Sequence, residues 1–399
     1  MAEWKQERLG DHAQIRARIG WRGLSASEYV NSGPFLVAGK HIESGSVDWA
    51  RCDHLTIDRY RESPEIALRI GDVIVTKDGT IGRTARIDTL PGPATLNGTM
   101  MLVRSSPSLD YRYLSHLLTG TAFRSLVDER VSGSSIPHLF QRDLVSLPIS
   151  VPSLEEQRRI AEILDAMDKA IRSAERSVVK LELVQDSVLA DALGTATLSG
   201  RCSTVEQEFD ITAGIALNAA RVPHFNPTGY LRVANVQRSH IDVSDIAMME
   251  ASEEEVALRE LAVGDLLVVE GHASPGEIGR CAAVPPAAEG LVYQNHLFRL
   301  RARSIAPEIA ELILNAPRAQ TYWRRVCATS SGLHTINSKM LRQMPIQVPS
   351  QGDQQMLREV ISVGGESVAA GFRQVKKLRL IRAGLAEDLL SGRVRTVAA

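Results

Sequence analysis

Residues 147–171 read LPISVPSLEEQRRIAEILDAMDKAI, and residues 344–368 read MPIQVPSQGDQQMLREVISVGGESV. They align without a gap at an offset of 197 positions in a chain of 399. In each, Pro-Ile and Val-Pro-Ser lead into a helical pattern. The first pattern places Ile160, Leu164, Met167, Ile171, Ala174, Val178, Leu181, Gln185, Val188 and Ala192 at alternating steps of four and three, a heptad seam. The second repeats the register with Leu357, Ile361, Gly364, Val368, Gly371, Val375, Leu378, Arg382, Leu385 and Leu389. Ser153 with Glu156 predicts a capping box at the first start, and Gly194 a stop. Ser391-Gly392 ends the second helix. Gly364, Gly365 and Gly371 each weaken it by about 1 kcal/mol relative to alanine, and they let a partner helix approach closely.

A helix of about 40 residues is about 60 Å long, more than one small domain needs. The two helical segments are also opposite in charge, −3 over residues 151–200 and +3 over 351–399. Both facts predict an antiparallel coiled coil between them; the plainer alternative is that each helix packs only on its own domain. Antiparallel pairing would put one globular domain at each end of a spacer.

The repeat continues upstream. Gly71-Asp72-Val73-Ile74-Val75-Thr76 answers Gly264-Asp265-Leu266-Leu267-Val268-Val269, and Ile81-Gly82-Arg83 answers Ile278-Gly279-Arg280. The second copy has four extra residues between these matches, within Gly271–Glu277, as expected of an exposed loop tip. Phe35-Leu36-Val37-Ala38 is set against Tyr230-Leu231-Arg232-Val233. Short apolar runs bounded by Gly and Asp predict strands at Ala67–Ile70, Val73–Thr76, Leu266–Val269 and Val292–Leu300. Short helices are expected at Tyr111–Leu118, Phe123–Glu129, Pro307–Leu314 and Ala319–Val326. The fold class is α+β, with two tandem β-rich domains, each followed by a long helix. The expected boundaries are residues 1–152, helix 153–194, residues 195–349, helix 350–392 and a tail at 393–399.

A hydrophobic fraction of 44% supports real cores. Nothing reads as a signal peptide or membrane span, so a cytoplasmic protein is expected. Cys52, Cys202, Cys281 and Cys327 are scattered without metal-ligand spacing and read as reduced thiols. A self-contained enzyme would need its own motif. There is no Asn-Pro-Pro-aromatic tetrad (Asn226-Pro227-Thr228-Gly229-Tyr230 comes nearest), no GxGxxG after a strand and no phosphate loop. His41-Ile42-Glu43 has no PCxxC to follow it.

These residues resemble the specificity subunits of type I restriction–modification systems, the HsdS family. IGWRGLSASEYVNSGPFLVAGKHIESGSVDW with GDVIVTKDGTIGRTA is similar to one type of target-recognition domain. YLRVANVQRSHID with GDLLVVEGHASPGEIGR is similar to another, and LPISVPSLEEQRRIAEILDAMDKAI to the family's central helix. The terminal DLLSGRVRT is similar to its ending. One departure is Ser350-Gln351-Gly352-Asp353-Gln354-Gln355, where a Leu-Glu-Glu-Gln start would stand, which bears on how alike the two partner-docking surfaces are. The resemblance implies a non-catalytic, DNA-binding subunit whose two domains read the halves of a split, asymmetric target. It implies partners: double-stranded DNA, two methyltransferase subunits carrying S-adenosylmethionine and methylating adenine, and, in restricting systems that defend against foreign DNA, an ATP-dependent motor-nuclease. The chain itself needs no cofactor and no metal. A two-headed coiled-coil scaffold without DNA is the competing reading.

A DNA reader needs cations for phosphates and polar side chains for base edges. In the first domain the candidates are Lys40, Lys77, Asp78, Gly79 and Thr80, then Asn97, Ser132, Gly133, Ser134 and Ser135. In the second they are Glu270, Gly271, His272 and Ser274, then Gln294, Asn295 and His296, then Ser330, Ser331 and His334. Thr-Lys-Asp-Gly-Thr also reads as a plain hairpin turn. Arg299, Arg301 and Arg303 alternate as on a strand, giving either a basic face for DNA or a solvated one.

Overall fold

The seam residues build two long helices, Leu154–Leu198 and Gln351–Leu390, in a computed structural model that describes residues 4–18, 24–133, 137–330 and 333–396. The chain divides into two compact units, residues 1–176 with 372–399, and residues 177–371. Each unit therefore contains a part of both helices.

In the first unit a four-stranded antiparallel sheet has the order Ala13–Ala17, Met100–Ser105, Val73–Thr76, Thr84–Arg86. A second sheet sets Val30–Val37 antiparallel to Asp53–His54 and parallel to Ala94–Leu96. Gln6–Arg8 pairs with Pro148–Ser150 and ties the start of the chain to the helix lead-in. The core joins Val73, Val75, Met101 and Val103 to Tyr113, Leu114 and Phe123 of the covering helices Tyr111–Leu117 and Thr121–Ser132. Ile160, Ala161 and Leu164 of the central helix enter that core, as do Ala386 and Leu389 of the C-terminal helix.

The second unit repeats this plan. Its four-stranded sheet runs Phe209–Ala213, Leu297–Ala302, Leu266–Val269, Cys281–Ala283. Pro227–Leu231 is antiparallel to Ala247–Glu250 and parallel to Val292–Tyr293, and Arg201–Thr204 pairs with Pro345–Val348. Helices Pro307–Asn315 and Pro317–Val326 cover it. Its core takes Leu193 and Ala196 from the central helix and Leu357 from the C-terminal one.

The Gly-Asp turn before each central strand is a matched structural device. Gly71 and Gly264 sit at φ +92 and +87, where a side chain is strained. The buried Asp72 accepts from Arg104 Nε and Nη2, both at 2.7 Å, and Asp265 does the same with Arg301. Each carboxylate also accepts from a backbone N–H, of Arg69 and Ala262 respectively. Removing either arginine leaves a buried carboxylate without its counter-charge, which is destabilising; because both arginines reach solvent, the cost stays below that of a fully buried pair. The glycine of each Ile-Gly-Arg is equally constrained: a Cβ on Gly279 would stand 2.2 Å from Trp323 Nε1.

The helices pair antiparallel within each unit. In the first, Asp168 accepts from Arg382 at 2.9 Å and Glu175 from Arg379 at 2.6 Å, so one number rises as the other falls. In the second, Gly364 abuts Gln185 and Gly371 abuts Val178. Ile160, Leu164, Ile171, Val178, Leu357 and Val375 are buried, and Met167, Ile361, Val368, Leu378 and Leu385 half-buried. Leu181 is 40% exposed. Gly371 lies close to it and has no side chain to cover it.

Several expectations need correction. The central helix does not stop at Gly194 but continues to Leu198, because burial of Leu193 and Ala196 outweighs the glycine's weak propensity. The capping box is half made: Glu156 N–H donates to Ser153 Oγ, but its carboxylate binds Arg395 at 2.8 Å. Ala67–Ile70 is not a strand; Arg69 N–H is captured by Asp72 and Ile70 is exposed. Val292–Leu300 is broken by a turn at 295–296 into strands Val292–Tyr293 and Leu297–Ala302. The parallel pairs Leu36↔Thr95 and Tyr230↔Val292 set Leu36 against Tyr230, one residue from the expected alignment.

The glycines of the C-terminal helix give a test. A Cβ at Gly365 meets nothing within 4 Å, whereas at Gly371 it would stand 2.7 Å from Cγ2 of the buried Val178. Gly365→Ala is expected to stabilise by about 1 kcal/mol, and Gly371→Ala to lose that gain or reverse it. Urea midpoints of the full chain measure both.

Candidate nucleic-acid interface

The matched loops of the two units hang on one backbone frame. In the first unit, Lys77 N–H donates to Thr99 O at 2.8 Å, and Leu139 N–H donates to Lys77 O at 3.0 Å. Asp78 then bridges to His138. In the second, Glu270 N–H donates to His296 O at 3.0 Å, and Ile336 N–H to Glu270 O at 2.9 Å. Gly271 and His272 then pair with Thr335 and His334. Three remote segments thus converge at each loop. Thr99 corresponds to His296, and His138 to Thr335.

The side chains on this frame differ. Lys77 Nζ lies 2.9 Å from Asp78 Oδ2, and His138 Nδ1 lies 2.5 Å from Asp78 Oδ1. Burial acts to raise the Asp78 carboxyl, but the Lys77 ammonium and the His138 ring together outweigh it and hold the group below the usual carboxylate range. Beyond it, His138 meets the exposed Phe140 in a tilted ring contact at 4.4 Å, and the Arg142 guanidinium lies over the Phe140 ring at 4.5 Å. In the second unit Glu270 Oε2 lies 2.7 Å from His296 Nδ1. His272 Nδ1 accepts from Ser274 N–H at 3.0 Å, and His334 Nδ1 is 3.7 Å from Cys327 Sγ.

The frame brings together Lys77, Asp78, Gly79 and Thr80, with Gly79 at φ +72 and Thr80 O accepting from Thr76 Oγ1. Asn97 lies in the adjoining turn, where its Oδ1 accepts from Thr99 N–H and Oγ1 at 3.1 and 2.7 Å. In the second unit it gathers Glu270, Gly271, His272, Gln294, Asn295, His296 and His334. Gln294 and Asn295 donate their backbone N–H groups to Leu231 O and Ile215 O; among the described residues no hydrogen bond holds their side-chain amides. Ser274 is exposed on the inserted loop, and Ser330 lies in a strand whose partner is Leu333. Ser132 and Gly133 close helix Thr121–Ser132. Lys40 is held apart by Asp53 at 2.9 Å. Ser134, Ser135 and Ser331 lie outside the described residues.

The idea of a basic face on the arginine strand is overturned. Arg299 is buried and donates to Glu260 O and Thr212 Oγ1. Arg301 is bound to Asp265, and Arg303 to Asp210 and two backbone carbonyls. These cations hold the unit together. Sequence reasoning missed His138, Thr99, Phe140 and Arg142. The offset of 197 that equates Leu139 with Ile336 would have pointed to His138.

A family model for the type I restriction modification DNA specificity domain matches residues 1–182. The specificity subunit of the type I restriction enzyme EcoKI of Escherichia coli K12 is 22% identical over 342 residues, covering 80% of this chain and 72% of its own length. The StySPI specificity subunit of Salmonella potsdam is 22% identical over 340 residues, with the same coverage of 80% and 72%. A solved structure, described as the basis of complex assembly and conformational transition of the type I restriction–modification system, aligns over 98% of both chains at 16% identity with a TM-score of 0.65.

The Asp78 cluster predicts a pH dependence. A carboxyl depressed by folding contributes stability above its unfolded value of ~3.9 and loses it as pH falls through the folded value. The gap in urea midpoint between the wild type and Asp78→Asn should therefore be full above about pH 5 and close below about pH 4. A gap that persists unchanged in acid would show that charge pairing is not its source.

Proposed function

We propose that this chain, which belongs to the family of type I restriction–modification DNA specificity subunits, reads a split, asymmetric DNA sequence, one half with each recognition domain. It is a non-catalytic member of its assembly. The observation that carries the split reading is the shared frame with unlike side chains. The same backbone bonds hold Lys77, Asp78 and His138 in one unit and Glu270, His272 and His296 in the other. Identical readers would give a symmetric target; these give two different halves. Lysine and the Arg142–Phe140 pair suit phosphate and sugar, Glu270 suits the amino group of cytosine, and the amides of Gln294 and Asn295 suit adenine.

The paired helices set the distance between the halves and dock two methyltransferase subunits, which bring S-adenosylmethionine and methylate adenine. A helix of about 60 Å bounds the gap at roughly 17 base pairs. A motor-nuclease joins where the system also restricts, and the assembly works in the cytoplasm, where its DNA lies. Among the described residues no helix is long and apolar enough to cross a membrane.

Methylation mapping of DNA from cells expressing this chain with its methyltransferase is the test. A two-part motif with modified adenine is expected; an unsplit motif, or none, overturns the reading. On the mapped duplex, Lys77→Ala should weaken binding alike on all sequences and lower the salt slope by about one. Glu270→Gln and Asn295→Ala should relax one position of the second half-site, at about 1–3 kcal/mol each. Mobility-shift titrations against half-site variants separate the two behaviours.

A further inference from the structure

Residues 165–176 of the central helix read DAMDKAIRSAER, three acids and three bases in twelve residues of the first unit. Their side chains part by face. The carboxylates turn inward and are spent. Asp165 accepts from Arg86 Nη1 at 2.9 Å and lies 3.0 Å from His116 Nε2. Burial acts to raise this carboxyl, but His116 and Arg86 outweigh it and hold it at about 2. Asp168 is bound to Arg382 and Glu175 to Arg379. The cations turn outward. Lys169, Arg172 and Arg176 are exposed, and among the described residues no carboxylate pairs with any of them. At 3.6 residues per turn they fall within about 60° of one another, nearly opposite the seam of Leu164 and Ile171. The stripe rises about 10 Å from Lys169 to Arg176, close to three base pairs of duplex at about 3.4 Å each.

The neighbours of these cations select the partner. Ala170 and Ser173 beside them are exposed and short, and no large apolar side chain is exposed between Lys169 and Arg176. Glu162, the carboxylate that precedes them on that face, stands 3.8 Å from Arg112. The C-terminal helix differs: its exposed Arg373, Lys376 and Lys377 are interleaved with the exposed Phe372, Leu380 and Ile381, a surface suited to a protein. A cationic face with no apolar anchor and no free carboxylate is complementary to a polyanion.

The face is also joined to the first reading loop. Arg172 lines a cleft of about 400 Å³ with Ser46, Thr84 and Thr119. Strand Thr84–Arg86 follows the Lys77–Thr80 loop, and Arg83 just before it donates to Ile42 O of the hairpin that carries Ser46. Thr80 and Thr84 are at most about 14 Å apart along the chain, well under one duplex turn of about 34 Å. We propose that Lys169, Arg172 and Arg176 form a second, sequence-independent DNA contact, which holds phosphates of the unread stretch beside the first half-site. This inference rests on the proposed DNA reading. Three phosphates, at a salt slope of about 0.9 each, are too few to retain DNA alone. The contact therefore acts on a duplex that the recognition domains already hold, and it anchors the gap without reading it.

The experiment titrates the full chain with its methyltransferase against the mapped duplex across a range of salt. Lys169→Gln, Arg172→Gln and Arg176→Gln combined should lower the slope of log K against log salt by about 2 to 3. Base preferences at both half-sites, the melting temperature and the assembly seen in sedimentation should not change. A second duplex carries uncharged methylphosphonates in the gap next to the first half-site. It should bind the wild type more weakly than the natural duplex and bind the triple variant equally well. If the slope does not change, or the neutral backbone weakens wild type and variant alike, the contact is absent and the DNA reading stands. If the wild type binds no duplex, the DNA reading itself falls. If the variant keeps the slope and instead loses methyltransferase in sedimentation, the face meets a protein and the proposal is overturned.

Discussion

In each unit the beginning of one long helix shares a core with the end of the other. Ile160, Ala161 and Leu164 meet Ala386 and Leu389 in the first, and Leu357 meets Leu193 and Ala196 in the second. Each large aliphatic side chain so buried is worth about 2 kcal/mol; the first domain completes its core with Ala386 and Leu389 from the far end of the chain, and the second with the helix segments that flank it on both sides. The chain ends are bound into the same arrangement. Arg395 donates to Glu156 at the start of the central helix and lies over the Trp4 ring at 4.9 Å. Antiparallel pairing is what allows one polypeptide to complete both cores, because it returns the end of each helix to the start of the other.

That constraint separates what must be repeated from what is free to differ. The Gly-Asp turn, its arginine, the Ile-Gly-Arg glycine and the hydrogen bonds under the loops recur in both units, since each holds backbone against backbone. Side chains on the outer surface of this frame answer to no such demand. The clearest sign is an ion pair whose charges are exchanged: Glu28 binds Arg59 at 2.6 Å in one unit, and Arg221 binds Glu255 at 2.6 Å in the other. The loop holding Glu28 or Arg221 is pinned to the following helix either way, by a pair that stays neutral while its two charges trade places.

The sequence shows most clearly what is local and periodic. The heptad steps and the Val-Pro-Ser lead-ins mark both helices, and the doubly buried runs Val73–Thr76 and Leu266–Val269 mark the central strands. It misleads where tertiary packing decides. Gly194 stays helical because its neighbours are buried, and Arg299, Arg301 and Arg303, which alternate like a solvent face, are spent on Glu260, Asp265 and Asp210. It is silent where the site is assembled from afar. Lys77 and Asp78 stand out as a turn in the chain, but their partners Thr99, His138 and Leu139 lie in two other segments, and only the repeat offset, not any local pattern, hints at them.

The charged candidate readers share a property that bears on how they would discriminate. Lys77 is paired with Asp78, Asp78 with His138, and Glu270 with His296 before any partner is present. A group already satisfied gains little from an approximate contact, because it must give up a charge-assisted bond to make a new one. A correctly placed base edge or phosphate repays that exchange, and a misplaced one leaves a desolvated charge unpaired. Internal pairing therefore lowers the reward for any target while raising the penalty for a wrong one. A chain with net charge −1 has no excess of cations to hold DNA indiscriminately, and its charged readers add selectivity through this kind of exchange.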